Sequence, residues 1–277
     1  MSDATMKIMA VPLARNANPA RVPYLTYIAY STAKGERKRS ASLPLSQRIV
    51  AQASRAWSNL GRTDSRSLFD WKRRVFLLGE RIMDKIEYEE WALKGIDQAL
   101  GPSIRRLVMS HQRSPHAEPN RLSLLYPPSL VSPTSVIESI RRMVSHRQPL
   151  HSWQILYSTV GIVVSSPLFL IPAIPNLPAY YLMWRVWSHY RAYLACKSVS
   201  SLLERNLMDL IPDAKLDEIC TQDGDGETVS LPNDWSLIMG PRRATQLMDT
   251  FQLPEQCRVD LKRASMQAKT EISKNVS

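Results

Sequence analysis

The chain has 277 residues, 44% of them apolar and 22% charged, with a mean hydropathy of −0.24, which is enough apolar material for one large or two small cores and too much for a disordered chain. Nine glycines, nineteen prolines and three cysteines (Cys196, Cys220, Cys257) without CxxC spacing exclude collagen-like, disulfide-scaffold and thiolate-metal classes and leave little material for glycine-rich phosphate loops. The net charge of +11 sits in the first half: residues 1–150 carry 24 basic and 12 acidic side chains, residues 197–277 ten and thirteen, a bias that suits anionic lipid or nucleic acid.

In chain order, Lys7–Leu13 and Tyr24–Tyr30 read as short extended segments from their β-branched and aromatic content, predicting a small two-stranded element. Residues 1–60 hold nine basic residues against Asp3 and Glu36, a bias shared with mitochondrial transit peptides. The amphipathic stretch Ser46–Leu60 turns Arg48, Gln52, Arg55 and Asn59 away from Ile49, Val50, Trp57 and Leu60. It starts late for a cleaved presequence, so an internal helix is expected. A long helix is predicted from about Leu68 to Leu100, where Leu68, Trp71, Val75, Leu78, Ile82, Ile86, Leu93, Ile96 and Leu100 form one stripe interrupted by Glu89; this is the packing seam of a bundle. Gly101-Pro102 is expected to end it. A shorter helix through Arg106 follows, then a loop from Gln112 to Pro133 containing five prolines. Ser132-Pro133 offers an N-cap with proline in the first turn, opening a helix towards Pro149.

From Gln148 to Trp184 there are 37 consecutive residues without Asp, Glu, Lys or Arg. Trp153–Pro172 supplies 20 mainly apolar residues, about the length that crosses 30 Å of hydrocarbon as a helix. Pro167 predicts a kink near Ser165 and Ser166. Pro172, Pro175, Asn176 and Pro178 then form a turn, since prolines at every third position cannot continue a helix. A second helix follows over 179–203, with Tyr181, Arg185, Ser188, His189, Ala192 and Cys196 on one face and Met183, Val186, Trp187, Tyr190 and Leu194 on the other. Spanning and re-entrant hairpins both remain open, as does a buried hairpin in a soluble domain. Basic residues on both flanks (Arg141, Arg142, Arg147; Lys197, Arg205) put the two termini on one side of the membrane.

After the hairpin, Asp223–Glu227 resembles a calcium loop, but Thr221 and Pro232 would occupy its first and twelfth positions, so a solvated turn is expected instead. From Pro254 the tail reads as a helix of mixed surface charge. The five histidines give no HExxH and no i, i+4 pair, and GxSxG, Walker A and GxGxxG patterns are absent; neither an enzyme, a metal site nor a cofactor is expected. The predicted fold is therefore mainly α: a helical bundle with a short β element near the N-terminus and one apolar, membrane-inserting helical hairpin. Its regions are a basic helical segment over 1–147, the hairpin over 148–205 (helices 153–172 and 179–203) and an acidic loop with C-terminal helices over 206–277. The basic clusters, including Arg141, Arg142 and Arg147, are assigned to headgroups of anionic lipid such as cardiolipin rather than to nucleic acid.

The linked pattern Pro172-x-x-Pro175-Asn176-x-Pro178, Tyr181 and Arg185-x-Trp187-Ser188, preceded by His146-Arg147, resembles the fungal and plant family of mitochondrial potassium-proton exchange-related proteins. Val11-Pro12-Leu13 and the Trp71–Leu100 helix extend the likeness over roughly residues 6–205. The resemblance implies a mitochondrial inner-membrane protein tied to potassium-proton exchange and organelle volume, with its termini on the matrix side; it carries no assigned catalytic or ion-binding residues. A conventional exchanger binds cation and proton on intramembrane carboxylates, and 148–203 contains none. An accessory or regulatory component, as a homo- or hetero-oligomer, is therefore expected, with a matrix-side scaffold docking another complex such as the ribosome as the alternative. Arg185 and His189, one turn apart, and Arg191 beyond them are the candidate groups for a partner's carboxylate or an anionic lipid; contacts between packed helices are the plainer role.

Overall fold

In the computed structural model the described residues are 6–18, 20–31, 71–113, 121–167, 177–222 and 228–274. The chain divides into two units, Met1–Ala4 with Thr32–Glu87, and Thr5–Ser31 with Tyr88–Ser277. In the first, the described element is helix α1 (Trp71–Asp84). The expected Ser46–Leu60 helix, the acidic run 223–227 and Pro172, Pro175 and Asn176 lie outside the described residues.

The second unit is built on a mixed six-stranded sheet of β1 (Met6–Asn16), β2 (Tyr24–Ser31), β3 (Leu122–Tyr126), β4 (Met208–Pro212), β5 (Val229–Leu231) and β6 (Trp235–Leu237). β1 pairs antiparallel with β2 along one edge. Its other edge is shared: residues 7–9 pair parallel with β3, and residues 14–16 antiparallel with β6. β3 continues into β4 in parallel, and β6 into β5 antiparallel. Pro12, which has no N–H to give, falls between the β3 and β6 pairings, where a missing donor costs least.

Side chains of β1 alternate between two cores, as the period of two requires. Ile8 and Ala10, with Leu122 and Leu124, face helices α2 (Tyr88–Arg113), α3 (Pro133–Ser165) and α4 (Leu177–Glu204) through Leu93, Ile96, Leu100, Ile140, Cys196 and Val199. Met9 and Val11 face α5 (Ala214–Thr221), α6 (Pro241–Phe251) and α7 (Gln256–Lys274) through Leu216, Ile219, Leu247, Leu261 and Ala268. Each buried leucine, isoleucine, valine or methionine among them contributes roughly 1.5–3 kcal/mol by leaving water. The result is a sheet with helices on both faces.

Four expectations about elements are corrected. The helix foreseen over 68–100 is two helices, α1 and α2, with a break at 85–87. α2 then runs on through Gly101-Pro102 to Arg113, because the apolar stripe of Leu100, Ile104 and Leu107 is buried on both sides of the proline and offsets its roughly 3 kcal/mol penalty. The proline-rich segment Gln112–Pro133 contains β3, a strand buried on both faces whose run of apolar residues lacks the alternation that marks half-exposed strands. Ser132 does cap α3, accepting from Ser135 N–H at 3.2 Å with Pro133 in the first turn, but α3 continues unbroken past Pro149 to Ser165.

The predicted bundle with an apolar, membrane-inserting hairpin is also corrected. α3 and α4 pack against each other, yet no helix among the described residues is long and apolar enough to cross a membrane. Lack of charge is not hydrophobicity: the charge-free run holds His151, Ser152, Gln154, Ser158, Thr159, Ser165 and Ser166, and each polar group costs free energy in hydrocarbon unless it is hydrogen-bonded.

Candidate functional site

α2 carries two stripes. Leu93, Ile96, Leu100 and Ile104 face the sheet core, and beside them Glu90, Lys94, Asp97 and Gly101 follow the i, i+4, i+7, i+11 spacing of one helix face. α4 packs against that second stripe with Arg185, Ser188, His189 and Arg191, while α3 adds Arg147 and His151. Three helices thus enclose a buried set of charged and imidazole groups.

Glu90 is its centre and is 5% exposed. Its Oε1 accepts from Ser188 Oγ at 2.7 Å and from Arg185 Nη1 at 3.1 Å, and lies 3.6 Å from Lys94 Nζ. Its Oε2 takes the longer Arg185 Nη2 arm at 3.4 Å and faces His189 Nδ1 at 3.9 Å. Burial pushes this carboxyl up, but Lys94, Arg185 and Ser188 together hold it below the ordinary value, so it is ionised. Lys94 donates to Ser188 Oγ at 3.1 Å and sits 3.5 Å from the centroid of the Trp91 ring. Burial brings its ammonium down to about 8 against the pull of Glu90.

His151 and His189, 38 residues apart in sequence, meet Nδ1 to Nδ1 at 3.1 Å, and each is 2% exposed. Burial lowers both imidazoles, His189 to about 4, with Arg185 adding to the effect; both are neutral at pH 7. His151 Nε2 has no hydrogen-bond partner among the described residues. The ligand atoms of Glu90, His151 and His189 all lie within 4.8 Å of one another.

Flanking pairs extend the set. Asp97 is gripped by Arg191 Nε and approached by Arg105 Nη1 at 3.6 Å; burial raises its carboxyl although both arginines oppose this. Arg147 Nε meets Glu89 Oε2 at 2.5 Å. Gly101 is needed beside Asp97, because a Cβ there would overlap Asp97 Oδ1.

The sequence-predicted residues are therefore distributed as follows. Arg185 and His189 meet a carboxylate, and it is the chain's own Glu90. Arg191 and Arg147 hold Asp97 and Glu89 in the same way. Arg141 and Arg142 are exposed, Arg142 pairing with Glu138 one turn back at 2.8 Å. Pro178 lies in the first turn of α4. Sequence reasoning missed Glu90, Lys94, Asp97 and His151; the signal for the first three was a second, charged stripe abutting the apolar one on α2.

The outer parts of α3 and α4 invert the usual polarity. Inward go His151, Ser158, Ser165, Ser188 and His189; outward go Trp153, Leu156, Tyr157, Val160, Val163 and Val164 on α3, and Tyr180, Tyr181, Met183, Trp187 and Tyr190 on α4. Tyr157 is 68% and Val164 74% exposed. On α3 these residues keep the i, i+3, i+4, i+7 spacing of one stripe.

Fold and site together define an α/β protein that holds a closed ionic cluster and, among the described residues, exposes an apolar face on a helical pair. The chain belongs to the family of mitochondrial K+-H+ exchange-related proteins, whose profile matches residues 7–203. It is 27% identical over 187 residues to an uncharacterized protein of Schizosaccharomyces pombe, covering 68% of this chain and 70% of that one. It is 35% identical over 89 residues to an uncharacterized protein of Saccharomyces cerevisiae, covering 32% of this chain and 28% of that one. No solved structure matches.

Proposed function

We propose that this protein is an accessory or regulatory component of potassium-proton exchange at the mitochondrial inner membrane, without enzymatic activity, its termini on the matrix side. The family relation supplies the process. The observation that carries the placement is the inverted polarity of α3 and α4: tryptophan and tyrosine side chains around an uncharged apolar surface suit contact with a membrane interface or with apolar elements of an oligomeric partner. The basic first half adds attraction to anionic lipid.

An accessory role is preferred to that of the exchanger because Glu90 and Asp97 are each held by arginine. A carboxylate that alternates between cation and proton must be free of a fixed charge, and guanidinium does not deprotonate. Swelling of mitochondria in potassium acetate tests the reading: loss of the protein alters the swelling rate. Normal swelling would sink it in favour of a matrix-side scaffold for another complex.

A further inference from the structure

We infer that Glu90, His151 and His189 form a binding site for a first-row divalent transition-metal ion, with zinc the best fit. The inference stands apart from the exchange reading. Two imidazole nitrogens and one carboxylate oxygen converge from three helices, all buried, within 4.8 Å of one another. That donor set suits zinc and its neighbours; potassium, magnesium and calcium prefer shells of oxygen. The cluster is thus not the place where a potassium ion rests.

The spacing is close to what an ion would impose. Bonds of about 2.0–2.2 Å place ligand atoms roughly 3.3 Å apart around a tetrahedral zinc. His151 and His189 Nδ1 are already at 3.1 Å, and His189 Nδ1 and Glu90 Oε2 at 3.9 Å. Closing the third side asks the Glu90 carboxylate to swing about its last torsion, which is a soft one.

Hydrogen bonding leaves the same opening. In the metal-free pair one Nδ1 donates to the other, so the position between the two rings and Glu90 is held by a single shared proton. An ion would occupy both Nδ1 lone pairs while the shared proton moves to Nε2, with no net proton released.

Two cations set the selectivity. Lys94 and Arg185 both approach Oε1, and Arg185 also reaches Oε2 at 3.4 Å. Glu90 would then bridge the ion and these groups, as ligating carboxylates commonly do with their outer partners. Their positive charge disfavours weakly coordinating ions and leaves those with the strongest imidazole bonds. It also predicts an unusual response: removing Lys94 should tighten binding.

The experiment is cobalt titration of the tag-free full chain after chelator dialysis, followed by zinc competition. One equivalent of Co2+ giving visible d–d bands, displaced by zinc, is expected. X-ray absorption of the zinc-loaded protein should show two imidazoles and a carboxylate oxygen. His151→Ala should weaken affinity by on the order of 100-fold or more, Lys94→Met should strengthen it about tenfold or more, and His146→Ala, on the exposed face of α3, should leave it unchanged. Absence of stoichiometric metal, thiolate or oxygen-only coordination in the absorption spectrum, or equal binding by wild type and His151→Ala would overturn the site and leave a hydrogen-bonded histidine pair. If His151→Ala does not fold, the wild-type stoichiometry and ligand spectrum still decide the question.

Discussion

Arg185→Ala tests whether the ionic cluster is a coupled unit. Arg185 meets both oxygens of Glu90, at 3.1 and 3.4 Å, with both side chains largely buried. At an effective dielectric of about 20, a pair 3 Å apart attracts by roughly 5 kcal/mol, and breaking a buried pair from one side costs about 3–5 kcal/mol. Lys94 and Ser188 stay on the carboxylate, so Arg185→Ala should lose less, about 2–3 kcal/mol. Glu90→Gln should lose more, about 4 kcal/mol, because it leaves Lys94 and Arg185 facing each other without a counter-charge. The double variant should then recover about 2 kcal/mol relative to the sum of the singles. Urea unfolding followed by tryptophan fluorescence reads this, since Trp184 lies 5.8 Å from the Arg185 guanidinium and 5.7 Å from Lys94 Nζ. Additivity of the two singles to within about 0.5 kcal/mol would refute the coupling.

Acid should destabilise the fold through the imidazoles. His189 titrates near 4 when folded and near 6.5 when unfolded, so in that window the unfolded chain binds more protons and stability falls as pH falls, by up to about 3 kcal/mol. His189→Gln should flatten the slope of unfolding midpoint against pH between 6.5 and 4; an unchanged slope would remove His189 as its source. Gly101→Ala should cost about 1–3 kcal/mol by driving Asp97 off Arg191 and Arg105, measured by thermal unfolding, and Asp97→Asn should mask most of that effect. Arg243→Ala should be among the costliest single changes outside the cluster, at about 3 kcal/mol, because its guanidinium ties Gln222 O, Ile238 O and Thr228 Oγ1 together; denaturant titration measures it. Serine at Trp153, Tyr157 and Trp187 together should leave stability within about 1 kcal/mol, as these side chains are exposed, yet reduce flotation with vesicles containing anionic lipid; undiminished flotation would detach the apolar faces from membrane contact.

The local signals in the sequence were read well where one element decides its own structure. Ser132-Pro133 starts α3, the β-branched and aromatic content of 7–13 and 24–30 becomes the β1–β2 pair, and the tail after Pro254 becomes α7. What escaped was non-local. β3, β4 and β6 are five residues long or fewer, and each is defined by its neighbours in the sheet rather than by its own composition. The prolines at 102 and 149 read as helix stops in a local window, from which burial of the surrounding residues cannot be seen. The true environment of the α3–α4 pair is hidden for a related reason. Its polar face pointed to a partner, and that partner, Glu90, lies 95 residues upstream of Arg185 in a helix read as plain packing. Half of the site was visible as Arg185 and His189, and the other half required the fold.

The placement of β1 has a kinetic corollary. The strand synthesised first receives its final neighbour when Leu237 pairs with Ala14, so most of the polypeptide has left the ribosome before the sheet is closed. Until then β1 offers bare backbone groups at 14–16 and the apolar face that α6 and α7 will cover, the state in which chains aggregate or recruit chaperones. Contacts of such long sequence separation also slow the search for the native arrangement. Shortening the chain before β6 therefore withdraws a neighbour from its earliest strand, and damage at one end should be felt as misfolding at the other.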